Sequence, residues 1–476
     1  MNRPSAPHDP VGESLRSFVG ELLTNAVVQL VHTPTGSEPT DAAGRMDVIA
    51  ASGEADDAIV VSASAQLIVG WITTLTVGFG AKSTSRVASV PDALRALPHA
   101  ALRAGVRFAS LSDSVLSPAI ERALRDTVVV ELLTQHQVDA VDSSGEASKV
   151  ECASSTLLAD TLEYLIELSG TRVEAHNLTH GVVITDAIAH EPRLRVPYPS
   201  GLRDAKRSPL LFDGQCSVLI VDRGGRARTE LQAHRLDRLH PSSQPLKSVE
   251  RDFVDSGSLV ALATRQLGGI GFFLREDRSI WTFVDGQPLV IRRGEHWTAF
   301  PLWLAQAIGA RIGGGAAVEL IVGAALLVSV KTGGAIFAIV DEADSLGAVV
   351  ARKDRFDLRN ELDGGPVGGA GEIDAEMRPE TKLHHLIDAG DLDTQTLARL
   401  AELDGATVLD RNGKLLAYGA IISSSDSQHE GARTAAAKSL SHRALVVLKV
   451  SEDGDITVFR SGATVATLLP SGTGHK

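Results

Sequence analysis

From Thr394 onward the chain alternates helical and strand-like runs too short to fold in any way but by packing on one another. Thr394 to Leu403, with Leu397, Leu400 and Leu403 in helical register, runs straight into Asp404-Gly405-Ala406. A strand follows, then Asn412-Gly413, a dipeptide suited to a hairpin turn, then a second strand to Ile422. Gly431-Ala432-Arg433-Thr434 opens a further helix, and Ala444 to Phe459 reads as strand, acidic turn and return strand. Upstream, helices over Leu302 to Ile312 and Ala316 to about Val330 flank Gly313 to Gly315 and deliver the strand Gly334 to Val340. Helices that hand over to buried strands imply an α/β fold, here a mixed sheet flanked by helices.

At 476 residues the chain is too long for this unit alone. Ser14 to Val31 has the spacing of one helix (Leu15, Val19, Leu22, Leu23, Val27, Leu30), and helices are predicted over Pro91 to Ala104 and Pro118 to Gln135. With the strands between them they make a smaller α/β unit, 1–149, closed by the polar run Asp142 to Lys149. A β-rich unit, 150–300, begins with a helix through Leu157, Leu162 and Leu165, stopped by Gly170. Short strands then meander to Ile291, with an internal loop at Pro241 to Pro245. The third unit is 301–476, with a Gly-rich surface loop at Asp363 to Gly371.

Several functions are set aside on chemistry. A net charge of −13 excludes a chain that coats nucleic acid, because phosphate backbones are held by basic surfaces. Two distant cysteines, Cys152 and Cys216, form no zinc or disulfide pattern. Ala58 to Ala81 carries no charge and is long enough to span a bilayer. Its serines, threonines, glycines and β-branched residues fit two buried strands joined by a turn better than a lipid-facing helix. With no apolar leader after Met1 to Pro10, a cytoplasmic protein without a membrane partner is expected. Gly78 to Ser83 lacks the glycines of a phosphate loop, with Ala81 before Lys82 and Thr76 at the first position. His176 and His180 fall in strands, where a four-residue step carries them apart, and with His190, His234, His240, His384 and His385 they read as surface or capping residues. The arginines from Arg223 to Arg238 are interleaved with Asp222, Glu230 and Asp237, as on a solvated face.

The C-terminal motifs remain. Asp404 stands at the mouth of the sheet, while Gly431, Ala432, Arg433 and Thr434 start a helix whose free amides and dipole attract phosphate. A carboxylate for a cation and an arginine with amides for phosphates suit a metal-bound nucleoside triphosphate. Each motif alone also reads as a turn or a cap.

In order and spacing these segments resemble the diadenylate cyclase domain, the nucleotide-binding domain of DisA-type proteins. The apolar helix is Ala316 to Val330, the Gly-Ala-led strand starts at Gly334-Ala335, and the Asp-Gly-Ala motif is Asp404-Gly405-Ala406. The Gly-x-Arg-His-Arg-Ala-Ala segment aligns with Gly431 to Ala437, Ser441 falls on the serine of an Ile-Ser-Glu step, and Val450-Ser451-Glu452 matches the Val-Ser-Glu that closes a strand. The likeness runs from Pro301 to about Thr467. It departs at Arg433-Thr434-Ala435, where the family has Arg-His-Arg; His442-Arg443 lies two helical turns further on, and His429 precedes Gly431 in the loop. Val196 to Gly214 is similar to segments that precede such domains in multidomain sensor proteins.

The resemblance implies an enzyme that condenses two ATP into cyclic di-AMP and pyrophosphate with Mg²⁺ or Mn²⁺, through self-association of facing C-terminal domains. Under it, Asp404 takes the metal and the attacking hydroxyl, and Gly405 and Ala406 allow the nucleotide close approach. Gly431, Ala432, Arg433 and Thr434 hold phosphate, supported by Ser441 and Glu452. The lost histidine and arginine leave two alternatives: a catalytically impaired sensor of ATP or a dinucleotide, and a dimerisation scaffold.

Overall fold

The computed structural model describes residues 8–23, 26–35, 59–79, 92–110, 116–143, 153–173, 176–187, 196–203, 208–239, 258–331, 333–351, 354–355, 390, 392–422 and 431–470. The loops at 241–245 and 363–371, most of 142–149, and Cys152, His190, His240, His384, His385 and His429 lie outside them. The described residues form two compact units, divided between Trp303 and Leu304. Residues on both sides of position 150 belong to the first unit. Among the described residues no helix is long and apolar enough to cross a membrane.

In the first unit, α1 (Pro10–Leu22) starts at Asp9, whose carboxylate accepts the Gly12 amide at 2.7 Å. Strands β1 (Ala26–Pro34), β2 (Ile59–Ile68) and β3 (Trp71–Phe79) form an antiparallel sheet in the order β1-β3-β2. The uncharged stretch is thus two strands joined at Val69 and Gly70, where Gly70 takes φ +81°. The single helix read over Ser14 to Val31 is corrected: Val27 and Leu30 lie in β1, which pairs with β3 from Ala26–Phe79 to Pro34–Trp71. The gain of a full ladder overrides an apolar spacing that suits either period. Helices α2 (Asp92–Arg95), α3 (Leu97–Phe108), α4 (Pro118–Ser143) and α5 (Ser155–Ser169) follow, α4 packing on both α3 and α5. Helix α4 runs past the predicted end at Gln135, to Ser143.

A larger sheet completes this unit. Short strands β4 (Arg172–Val173) and β5 (His176–Asn177) pair with each other before β6 (His180–Ile184). Then come β7 (Val196–Pro197), α6 (Ser200–Arg203), β8 (Ser217–Val221), β9 (Arg226–Gln232), α7 (Ala233–Leu239) and α8 (Leu259–Leu267). The meander β10 (Ile270–Leu274), β11 (Ile280–Val284), β12 (Gln287–Arg293) and β13 (His296–Ala299) closes it. The order is β13-β12-β11-β10-β6-β8-β9-β7, with β6 and β8 parallel. His180 is no surface residue: it is fully buried among Tyr164, Tyr198 and Phe212, stacked on Tyr198. Burial pushes its pKa down to about 4, against a smaller pull from the Pro209 carbonyl.

The second unit is the mixed sheet flanked by helices expected from the alternation of helical and strand-like runs. Helices α9 (Leu302–Ile312) and α10 (Gly315–Val330) lead to β14 (Ala335–Ile339) and a 3-10 turn at Ala343–Ala348. Helix α11 (Thr394–Ala401), capped by Asp393, leads to β15 (Ala406–Leu409) and β16 (Leu415–Ala420). Helix α12 (Ala432–Ser441) then precedes β17 (Val446–Val450), β18 (Ile456–Arg460) and β19 (Ala463–Leu469). The sheet order is β16-β15-β14-β17-β18-β19, mixed because β14 and β15 run parallel. Alternate residues sort the faces. Ile336, Ala338, Ala406, Val408 and Val447 pack with Ala437 and Leu440 of α12 and Leu346 of the 3-10 turn. Helices α10 and α11 pack on each other and on the strands.

Candidate functional site

The register of β14 gathers the C-terminal motifs at one end of this sheet. Ile336 pairs with Ala406 of β15, so Gly334 and Asp404 each stand two residues before that pair. On the other side Ala335 pairs with Val450, which brings the end of β17, and Glu452 just beyond it, to the same end. Helix α12 completes the group by laying Arg433 across Gly334. A Cβ built on Gly334 would stand 2.5 Å from Arg433 Nη1 and 2.6 Å from its Cζ. Glycine is therefore what lets the guanidinium lie on the backbone at this point. Arg433 Nη1 is 2.7 Å from Glu452 Oε1, an ion pair in which both side chains remain exposed to solvent. Such a pair contributes about 0–1 kcal/mol and a ligand can compete for it.

The first turn of α12 has the features that an anion needs. Gly431 occupies the N-cap and gives no side-chain cap. Thr434 and Ala435 direct their amides back to the Gly431 carbonyl, at 2.8 and 3.1 Å. The amides of Ala432 and Arg433 have no acceptor within the helix. Residues 431–433 are exposed.

Lys449 is a further cation here that the motif reading passed over. It pairs with Ile336 on the face covered by α12, and its Nζ lies 3.2 Å from Thr434 Oγ1. A signal was available: it is the one charged residue in the strand Val446 to Val450. It adds positive charge beside the threonine that stands where the resembled family has histidine.

The remaining motif residues take different places. Asp404 is exposed at the mouth of β15. Gly405 is wedged under the hairpin at φ +115°, where a Cβ would stand 2.4 Å from the Gly419 carbonyl carbon and 2.6 Å from the Ala420 nitrogen. Its lack of a side chain serves close approach of two backbones. Ala406 is fully buried in the core with Ile336 and Ala437. Ser441 is not at this end at all. It ends α12, donating to the Lys438 carbonyl and accepting the Gly462 amide, both at 2.8 Å, and is 1% exposed. It ties the helix to the β18–β19 turn. Nearby, His442 packs on Gly462, also at the far end of the helix.

The site thus comprises Asp404, the start of α12, Arg433, Thr434, Lys449 and Glu452. Among the described residues no cluster of three or more His, Cys, Asp or Glu forms a ready metal cage. A carboxylate such as Asp404 fits a hard divalent ion whose other ligands are phosphate oxygens and water. No family model, curated protein or solved structure matches the chain.

Proposed function

We propose that the second unit binds ATP at this end of its sheet and condenses two ATP into cyclic di-AMP and pyrophosphate, as the resemblance to diadenylate cyclase domains implies. The observation that carries this reading is the junction at Gly334, where Arg433 lies on the strand next to the one that Asp404 opens. Four separated motifs converge there, as a shared ligand requires.

In the proposed reaction two such domains face each other, each presenting one ATP. The 3′-hydroxyl of each attacks the α-phosphorus of the other. In each of the two steps a P–O bond forms, the bond from the α-phosphorus to the oxygen bridging it to the β-phosphate breaks, one pyrophosphate leaves with the electron pair, and the hydroxyl proton passes to solvent. Positioning and charge neutralisation carry most of such a step. Arg433, Lys449 and the first amides of α12 hold phosphate oxygens, and Asp404 orients the attacking hydroxyl. Mg²⁺ or Mn²⁺, held by Asp404 and the phosphates, would supply further neutralisation. In this reading the first unit regulates the second as a sensor, in a cytoplasmic signalling protein.

One observation favours a second reading, in which the unit binds ATP or a dinucleotide as a sensor without turnover. Thr434 and Ala435 replace two cationic residues, and Glu452 occupies Arg433. Losing cations weakens transition-state stabilisation more than ground-state binding. A dimerisation scaffold is the remaining alternative. Incubation of the full chain with ATP and Mg²⁺ or Mn²⁺, with products separated by chromatography, tests all three. Cyclic di-AMP that vanishes in Asp404→Asn supports the cyclase. ATP binding without product, weakened by Arg433→Ala, leaves the sensor, and no binding leaves the scaffold.

A further inference from the structure

Helices α3, α4 and α5 of the first unit line a cleft of about 430 Å³, within the roughly 300–1,000 Å³ typical of small-molecule sites. Its wall on α5 is one stripe at helical spacing: Thr156, Ala159, Asp160, Glu163 and Ile166. Ala159, with a single methyl group, leaves room in the middle of that stripe. Val130 of α4 and Leu162 of α5, both buried, add apolar surface beside Ile166. The nucleotide reading uses none of these residues.

The charged groups of the cleft are unevenly partnered. On α3, Arg107 pairs through Nη2 with Glu131, a carboxylate only 2% exposed. Arg103 Nε lies 3.6 Å from the same carboxylate, and its other contact is neutral Gln135 at 3.3 Å, so two guanidiniums share one negative charge. The Arg107 side chain stays 53% exposed, and the rest of its fork can take a further acceptor. On α5 the balance is reversed. Arg203 serves two carboxylates, bonding Glu167 at 3.1 Å and standing 3.5 Å from Glu163. The Asp160 carboxylate is exposed and has no hydrogen bond or ion pair among the described residues. The remaining carboxylate, Asp126 on α4, is committed to the fold: it accepts Trp297 Nε1–H at 2.8 Å and lies 3.9 Å from Arg292 Nε. Burial pushes its pKa up, against that hydrogen bond and the pull of Arg292, Arg122 and Arg125.

A ligand that suits both walls carries both charges. We propose that this cleft binds a small zwitterion, with an ammonium group on Asp160 and Glu163, a carboxylate on Arg107, and an apolar body over Val130, Leu162 and Ile166. The site lies wholly within the first unit and stands whether or not the second unit binds ATP.

Calorimetric titration of the full chain with ε-aminocaproate and with L-leucine, zwitterions of long and short charge separation, tests this. Hexylamine and hexanoate supply each charge alone. At least one zwitterion should bind at a saturable site, about tenfold or more tighter than either half, and the tighter of the two sets the charge separation. Asp160→Asn should weaken that binding about tenfold. Ala159→Leu keeps every charge and fills the cleft, so it should abolish binding. Both positions are exposed on α5, so neither change threatens folding. The proposal is overturned if neither zwitterion binds, if hexylamine or hexanoate binds as tightly, or if either variant keeps the natural affinity.

Discussion

Gly405→Ala is a demanding test of how the Asp404 turn is built. At φ +115° an alanine sits in a region that glycine alone tolerates, at about 1–3 kcal/mol. Its Cβ would also enter the β16 backbone, 2.4 Å from the Gly419 carbonyl carbon and 2.6 Å from the Ala420 nitrogen. Neither is the end of a flexible side chain, so the strands must part where Ala406 pairs with Ala420. One or two backbone hydrogen bonds then weaken, at about 1 kcal/mol each. The total is about 2–5 kcal/mol, a large share of the roughly 5–15 kcal/mol that holds a domain together. Urea unfolding followed by circular dichroism reads this as a shifted midpoint. Gly431→Ala is the control, because φ there is −54° and a Cβ would meet nothing within 4 Å. It should cost under about 1 kcal/mol. A Gly405→Ala protein within about 1 kcal/mol of the natural chain would refute the wedge and return Gly405 to a role in admitting ligand.

Ser441→Ala removes a buried hydroxyl that serves both Lys438 and Gly462, and should destabilise the second unit by about 1–3 kcal/mol in the same assay while leaving ATP affinity unchanged. A loss of affinity without a loss of stability would put Ser441 back among the phosphate ligands. His180 predicts a pH dependence. Above pH 6.5 it is neutral whether folded or unfolded; from there down to about 4 the unfolded chain takes a proton that the buried ring refuses, so stability falls with pH. The shift is worth up to about 3 kcal/mol, read as the difference between the natural chain and His180→Leu in urea melts at pH 7 and pH 4.5. Parallel pH profiles for the two proteins would contradict it.

The parts of the fold that were legible from sequence are those fixed by local chemistry. Asn412-Gly413 turns the β15–β16 hairpin, with Asp410 Oδ1 accepting the Asn412 and Lys414 amides at 2.8 and 2.9 Å. Val69 and Gly70 likewise divide the uncharged stretch into strands. The hidden parts depend on partners distant in sequence. Val27 and Leu30 suit a helix until β3 is there to pair with them. At the candidate site the motif order marked Asp404 and Arg433, but nothing local to Gly334 reveals that a guanidinium covers it. Ser441 is a different lesson. Alignment to a motif carries a residue type to a position, whereas the hydrogen bonds of this serine assign it to a helix end.

Hydrogen–deuterium exchange of the full chain, with and without ATP and Mg²⁺, tests most directly whether the motifs at this end of the sheet form one nucleotide site. The account predicts added protection at 404–406, at 431–434 and around 449–452 together, and its weakening in Arg433→Ala. Unchanged exchange in these three segments at saturating ATP, or protection confined to the first unit, would contradict it.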